Sequence, residues 1–360
     1  MELTYTMQGD YLIPDLTVPE SPKLGKYGML RRTFLREHRD GIYTGMLLNG
    51  TLNSHLEEVD RQAQKMLDDL TEQMKALNGV TEQLKAEAYM VFGGIPYYLS
   101  YFQKGMSLGQ NVDMLLFDNK ARLKNEFDRL FCSLFDNDKA YKSIVMQLSK
   151  KRNGMTRREI AEAIGKKSGG ALTEMLASLE NSGFICHQLP LGNRKTEMVY
   201  RLDDPFCRFY LTFVEDNTDH HFWQNSRNDG RIAAWRGLSF EELCMNNIDK
   251  IKDALRVGGV LSKETTVSIK ADDTGAGTQI DLVIIRNDNI VNLCEIKFTT
   301  SPYTIDSNYY DLLQRRIDRL RELIDDDNKS IHLTFITSKG VKQNRYSGIV
   351  QSEVLLDDLF

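Results

Sequence analysis

The sequence predicts an α+β chain of several domains: a helical N-terminal region, a helix-turn-helix with a β-hairpin in the middle, and an α/β domain at the C-terminus. Three observations carry this. Apolar residues recur every three or four positions from Leu56 to Leu77, which is a helical period. Between residues 139 and 202, helices with start and stop signals precede two strand-like runs. Beyond residue 239 the pattern reads helix, three strands, helix, strand, with apolar runs of strand length at 282–285 and 290–291.

At 360 residues the chain has room for two or three domains. Its 41% hydrophobic and 27% charged residues and mean hydropathy of -0.41 are ordinary for a soluble protein. The longest apolar stretch, 90–102, is interrupted by Gly93, Gly94 and Pro96 and falls short of the roughly 20 residues a bilayer span needs. No basic and apolar leader opens the chain, so no membrane partner and a cytoplasmic location are expected. Five scattered cysteines without a Cys-x-x-Cys pair suit buried thiols in a reducing compartment. Residues 139–201 hold twelve Lys and Arg against five Asp and Glu, a balance of +7 in a chain of net -5, so the remainder carries -12. Such a basic block is a candidate for contact with a polyanion.

The first domain is expected over residues 1–86. Short extended pieces at 3–6 and 11–16, punctuated by Pro14, Pro19 and Pro22, precede a helix over 27–37. A long helix follows, with Ser54 and Glu57 in capping-box spacing and Asn78-Gly79 as its stop. Its stripe of Leu56, Val59, Ala63, Met66, Leu70 and Leu77 suits a partner helix or self-association through residues 54–77. His38 and His55 are isolated, and no catalytic constellation stands out. Leu3-Thr4-Tyr5-Thr6, Gly9-Asp10-Tyr11-Leu12-Ile13-Pro14, Leu24-Gly25-Lys26-Tyr27-Gly28 and Leu52-Asn53-Ser54-His55-Leu56 make this quarter resemble the transposon-encoded TnpV proteins. That resemblance implies a mobile-element origin and brings no chemistry with it.

The character changes near Glu87. Gly93-Gly94-Ile95-Pro96, Asp204-Pro205-Phe206, residues 237–242 and Gln279-Ile280-Asp281 resemble the C-terminal part of a group of bacterial and archaeal AAA-type ATPases. The resemblance implies a helical lid remnant over 87–136, a winged helix over 137–215 and a nuclease-like domain over 230–360. The phosphate-binding loop of such ATPases is missing from the sequence. Gly165-Lys166-Lys167-Ser168 imitates its end, but Ile160 stands where the first glycine belongs. No bound ATP and no ATPase activity are therefore expected.

In the middle, 139–148 reads as a first helix. Thr156 and Glu159 form a capping box for a second. Ser168 is placed to cap a third, whose stripe is Leu172, Met175, Leu176 and Leu179. Strands at 184–189 and 197–202, joined through Gly192-Asn193, complete a winged helix-turn-helix. Arg157, Arg158, Lys166, Lys167, Arg194 and Lys195 sit at helix starts and the wing tip, where phosphate contacts to DNA would position the module. The third helix carries Glu174 and Glu180 but no Lys or Arg, which is poor equipment for reading bases.

In the last domain a helix is expected over 239–255, strands at 265–269, 279–286 and 290–298, a helix over 308–324 and a strand over 331–337. This is the order of the PD-(D/E)XK nuclease core. With Asn287-Asp288-Asn289 as a hairpin loop, counting back places Asp281 opposite Glu295, and alternation puts Glu295 and Lys297 on one face. Facing carboxylates destabilise a sheet unless a cation lies between them. Asp281 and Glu295 are therefore the candidate ligands of Mg²⁺ or Mn²⁺, which would polarise a phosphodiester and acidify a water. Lys297 would stabilise developing charge. Glu242, in the segment Gly237 to Glu242, resembles the acid that completes this site in related domains, with Glu241 as the fallback if the helix phase differs by one. Gln314 is a weaker candidate for the same cleft. The sequence thus reads as a Mg-dependent DNA endonuclease of mobile-element origin, or as a non-catalytic DNA-binding or protein-interaction chimera.

Overall fold

A computed structural model describes residues 5–8, 11–14, 26–78, 81–226, 229–269 and 277–360, with the side chains of 5–8, 11–14, 26, 37–38, 67–78 and 195 outside that description. Two compact units result, residues 1–64 and 65–360. In the first, strands β1 (Tyr5–Gln8) and β2 (Tyr11–Pro14) pair antiparallel, Tyr5 opposite Pro14. Helix α1 (Lys26–His38) matches the expected span closely, and a helix α2 (Asp40–Leu48) that the sequence reading omitted follows it. Helix α3 (Leu52–Asn78) starts at Leu52, so Ser54 is not its cap; the Ser54 hydroxyl donates to the Thr51 carbonyl instead. Leu35, Leu52 and Leu56 form a small core with Tyr43 and Met46. Leu56, the first position of the long stripe, is thereby used inside its own unit. Gly79, Pro19 and Pro22 lie outside the described residues.

The second unit opens with helices α4 (Glu82–Phe92), α5 (Pro96–Leu99), α6 (Leu108–Val112) and α7 (Glu126–Leu134). Gly93 takes the left-handed conformation (φ 68°) that terminates α4, and Pro96 occupies the first turn of α5. Helix α8 (Asp138–Ser149) leads into β3 (Met155–Thr156), α9 (Arg157–Ala163) and α10 (Gly170–Asn181). The Thr156–Glu159 capping box forms as expected. The cap of α10 is Gly169 rather than Ser168, without a side-chain bond. Leu172, Met175, Leu176 and Leu179 are all buried. Strands β4 (Ile185–Gln188) and β5 (Val199–Leu202) pair antiparallel, and β3 joins them in the order β3-β5-β4.

Helices α11 (Pro205–Phe209) and α12 (Phe222–Asn225) contribute to an aromatic core of Phe206, Phe209, Phe213, Trp223 and Trp235. The single helix expected over 239–255 is two: α13 (Gly230–Asn246) and α14 (Ile248–Ala254), broken at Asn247. Strands β6 (Ser262–Ile269), β7 (Thr278–Arg286) and β8 (Ile290–Lys297) run as an antiparallel meander. Helix α15 (Ser307–Ile324) crosses to β9 (Ser330–Thr337), parallel to β8, and the unanticipated β10 (Ser352–Leu355) pairs parallel with β9. The mixed sheet has the order β10-β9-β8-β7-β6. Leu282, Ile284, Cys294 and Ile296 join the core that contains Phe240 of α13. Val283, Val291 and Leu293 join the core that contains Leu313 and Leu320 of α15. The sheet is thus covered on both faces.

Candidate active site

Strands β7 and β8 keep the register that the hairpin argument demands: Leu282 faces Cys294, Val283 faces Leu293, and Asn289 at the turn has φ 65°. The pairing ends there, and Asp281 and Glu295 are the next residue on each strand. On its other side β7 is irregular. Thr265 pairs with Val283 and Val267 with Ile280, so Asp281 and Leu282 together oppose Thr266 alone. Asp281 therefore lies in a β-bulge, a device that re-aims a side chain at the end of regular pairing.

Glu295 is fully buried, and its carboxylate is held from three sides. Tyr309 donates its hydroxyl to Oε2 at 2.7 Å, Lys297 Nζ lies 3.3 Å from the same oxygen, and Arg316 binds Oε1. The Lys297 ammonium also sits 5.5 Å from the Tyr309 ring centroid. Burial and the Glu295 carboxylate push the Tyr309 hydroxyl well above its ordinary range, keeping it a donor. The sequence reading missed Tyr309 and Arg316. Their signal was present: Tyr309, Leu313, Arg316 and Leu320 share one face of α15, and an arginine inside a buried apolar face calls for an anion. Gln314 does not join this group; its amide donates to the Tyr310 hydroxyl at 3.1 Å.

Asp281 accepts no hydrogen bond among the described residues, in contrast to Glu295. Burial, then the nearby Glu295 charge, raise its pKa, while Lys297, Arg316 and Arg152 hold it down. The acid that α13 brings into this field is Glu241. Burial and then Asp281 push Glu241 up to about 7, against the pull of Arg152, whose Nη2 lies 2.5 Å from Glu241 Oε1. Glu242 points elsewhere: both its oxygens bind the Arg208 guanidinium, which also donates to the Leu202 carbonyl at 2.7 Å. The phase of α13 thus assigns Glu242 a structural ion pair and turns its neighbour Glu241 toward Asp281.

The expected divalent ion calls for convergent oxygen donors. Among the described residues no three His, Cys, Asp or Glu side chains converge as ligands. Asp281 is a hard oxygen donor that accepts no hydrogen bond among the described residues and lies beside a second acid, which fits such an ion. Glu295 already accepts from Arg316 at Oε1 and from Tyr309 at Oε2, so as companion ligand it would share an oxygen between these donors and the ion.

The basic residues of the middle segment divide. Lys166, Lys167 and Arg194 are exposed. Arg157 donates to the Gly169 carbonyl at 2.8 Å, and Arg158 pairs with Glu162 at 2.9 Å. The side chain of Lys195 lies outside the described residues. The loop after β4 is docked rather than free. Leu191 N donates to the Thr266 carbonyl at 2.8 Å, Gln188 Nε2 to Thr266 Oγ1 at 2.7 Å, and Thr265 Oγ1 to the Leu189 carbonyl at 3.1 Å. These bonds grip β6 directly opposite the Asp281 bulge.

Residues 4–94 match the family described as transposon-encoded protein TnpV. The N-terminal quarter of the chain is thus similar to TnpV. The match runs past the expected boundary at 86 to include Gly93 and Gly94. No curated protein matches the sequence. A solved structure of the restriction endonuclease FokI aligns at 12% identity and a TM-score of 0.21, over 63% of this chain and 44% of its own. That likeness is too slight to carry an argument, and the chain spans under half of the endonuclease. Among the described residues no helix is long and apolar enough to cross a membrane.

Proposed function

We propose that this chain is a DNA nuclease-like protein of mobile-element origin that hydrolyses phosphodiesters at Asp281, Glu295 and Lys297, with Glu241 as the additional acid. One observation carries the reading: an acid that accepts no hydrogen bond among the described residues, placed by a bulge beside a buried Glu-x-Lys pair. The element order from α13 through β9 supports a PD-(D/E)XK type of core. The segment from α8 to β5 supports a winged helix. The similarity to a transposon-encoded family supports the mobile-element origin.

In this reading Asp281 and Glu295 hold Mg²⁺ or Mn²⁺. Such an ion supplies Lewis acidity to the phosphate and lowers the pKa of an attacking water. Tyr309 and Arg316 orient Glu295. Lys297, tethered to the same carboxylate, offers its ammonium to the charge that grows on the phosphate oxygens. Glu241, held near neutrality by burial and by Asp281, is a proton acceptor and donor suited to pH 7. Exposed Lys166, Lys167 and Arg194 supply sequence-independent phosphate contacts.

Incubation of the full chain with plasmid DNA tests this. Cleavage should require Mg²⁺ or Mn²⁺, stop with chelator and vanish in Asp281→Ala and Lys297→Ala. A second reading, a non-catalytic DNA-binding protein, draws on the Glu295 carboxylate already neutralised by Lys297 and Arg316. DNA binding with no cleavage under any divalent metal, unchanged in Asp281→Ala, would establish it instead.

A further inference from the structure

A cavity of about 1290 Å³ opens within the second unit, between α4, α6, α12, α13 and residues 298–304. It exceeds the roughly 300–1,000 Å³ of ordinary small-ligand pockets and has room for a length of chain. It adjoins the candidate active site through the backbone: Phe298 and Thr299 in its wall directly follow Lys297, and Arg236 lies one helical turn before Phe240 and Glu241 on α13.

The wall is built in advance. Buried Asn111 pins the 103–107 segment, accepting from Gln103 N at 2.7 Å and donating to the Met106 and Ser107 carbonyls. Buried Asp113 accepts from Trp223 N at 2.8 Å and from the Gln224 amide at 2.8 Å. Into this frame come the rings of Phe102, Phe298 and Tyr303, each partly exposed. The amides of Gln83 and Gln103 make no side-chain hydrogen bonds among the described residues. Two further polar atoms in the wall are buried without partners: Arg236 Nε, although Glu87 holds another of its nitrogens at 2.7 Å, and Thr299 Oγ1. Lys104 adds an exposed cation.

Aromatic faces and free amides beside an exposed cation are what a splayed single strand recruits. Bases stack on rings, amides meet their edges, and cations follow the phosphates. A regular duplex keeps its bases stacked inside and offers the rings nothing. We infer that this cavity binds single-stranded DNA bases of the substrate and so selects DNA carrying an unpaired segment next to the scissile bond. The assignment of substrate class rests on the phosphodiester reading of the adjoining acids; the binding site itself does not.

The chain has two tryptophans, Trp223 in the cavity wall and Trp235 packed against it, so binding has an intrinsic fluorescence signal. Short oligothymidylate titrated into the full chain should quench this fluorescence. Affinity should fall roughly tenfold or more in Phe102→Ala/Lys104→Ala, and a circular dichroism spectrum establishes that the variant is folded. Gapped duplex should be cut in preference to intact duplex, and the double variant should lose that preference. Oligonucleotide binding without any cleavage refutes the nuclease reading while leaving the cavity as a single-strand site. No quenching, or equal affinity in the folded double variant, overturns the inference.

Discussion

Removal of the Glu242 carboxylate tests which acid of α13 serves the site. Arg208 and Glu242 expose only 4% and 6% of their side chains, and the pair bridges α11 to α13. Glu242→Ala leaves a buried guanidinium with the Leu202 carbonyl as its remaining partner. Leaving a buried charge without its partner costs about 3–5 kcal/mol. At about 2 °C per kcal/mol for a unit of this size, the melting temperature should fall by about 6–10 °C. Glu242→Gln keeps the shape and a hydrogen-bonding oxygen and should cost far less. Burial pushes the Glu242 carboxyl up to about 7 from its ordinary 4.5, Arg208 opposing that shift. The folded protein therefore holds this proton more tightly than the unfolded chain. The associated stability is complete below pH 4.5 and is lost as pH rises through 7, a slope that Glu242→Gln should abolish. Calorimetry across pH 4–8, together with plasmid cleavage below the melting range, reads both effects. An unchanged melting point in Glu242→Ala, or lost cleavage in a normally melting Glu242→Gln, refutes the division of labour between Glu241 and Glu242.

The remaining predictions concern the sheet and its supports. Asp281→Asn removes a partly buried charge facing Glu295, so its melting temperature should rise by about 2 °C while cleavage is lost; a fall would mean the charge is compensated. Arg316→Met strips Glu295 of one cation and should slow cleavage more than it weakens DNA binding, as a kcat against KM comparison would reveal. Gly154→Ala sets a Cβ 2.4 Å from the Tyr200 carbonyl oxygen at φ +75° and should destabilise by about 2 kcal/mol or more in urea titration. Thr156→Ala deletes the α9 cap and should cost about 1 kcal/mol by the same measurement.

Most of the C-terminal architecture was legible because its strands are short apolar runs separated by polar turns, and because a three-residue turn fixes register by counting. The pairing of Leu282 with Cys294 follows from that count alone. The bulge was not legible. It depends on how β7 meets β6, and no local pattern in residues 278–286 marks the extra residue. Helix phase was harder still: Glu241 and Glu242 differ by 100° of rotation, and tertiary packing of α13, through Phe240, Leu243 and Cys244, decides which faces the sheet. Arg316 and Tyr309 stand on the apolar face of α15, a pattern that calls for an anion but does not say which strand supplies it. The helix α2 was missed for want of a strong start signal; Arg39 at its N-cap makes no side-chain bond there.

The grip of residues 188–191 on β6 bears on how this protein tolerates being divided. β6 is the outermost strand of its sheet, and the hairpin loop occupies hydrogen-bonding groups that would otherwise invite a neighbouring chain. A fragment starting near residue 230 keeps every acid of the site yet bares that border. Such a fragment should aggregate through strand addition, which makes the middle segment a guard against polymerisation quite apart from any contact with DNA.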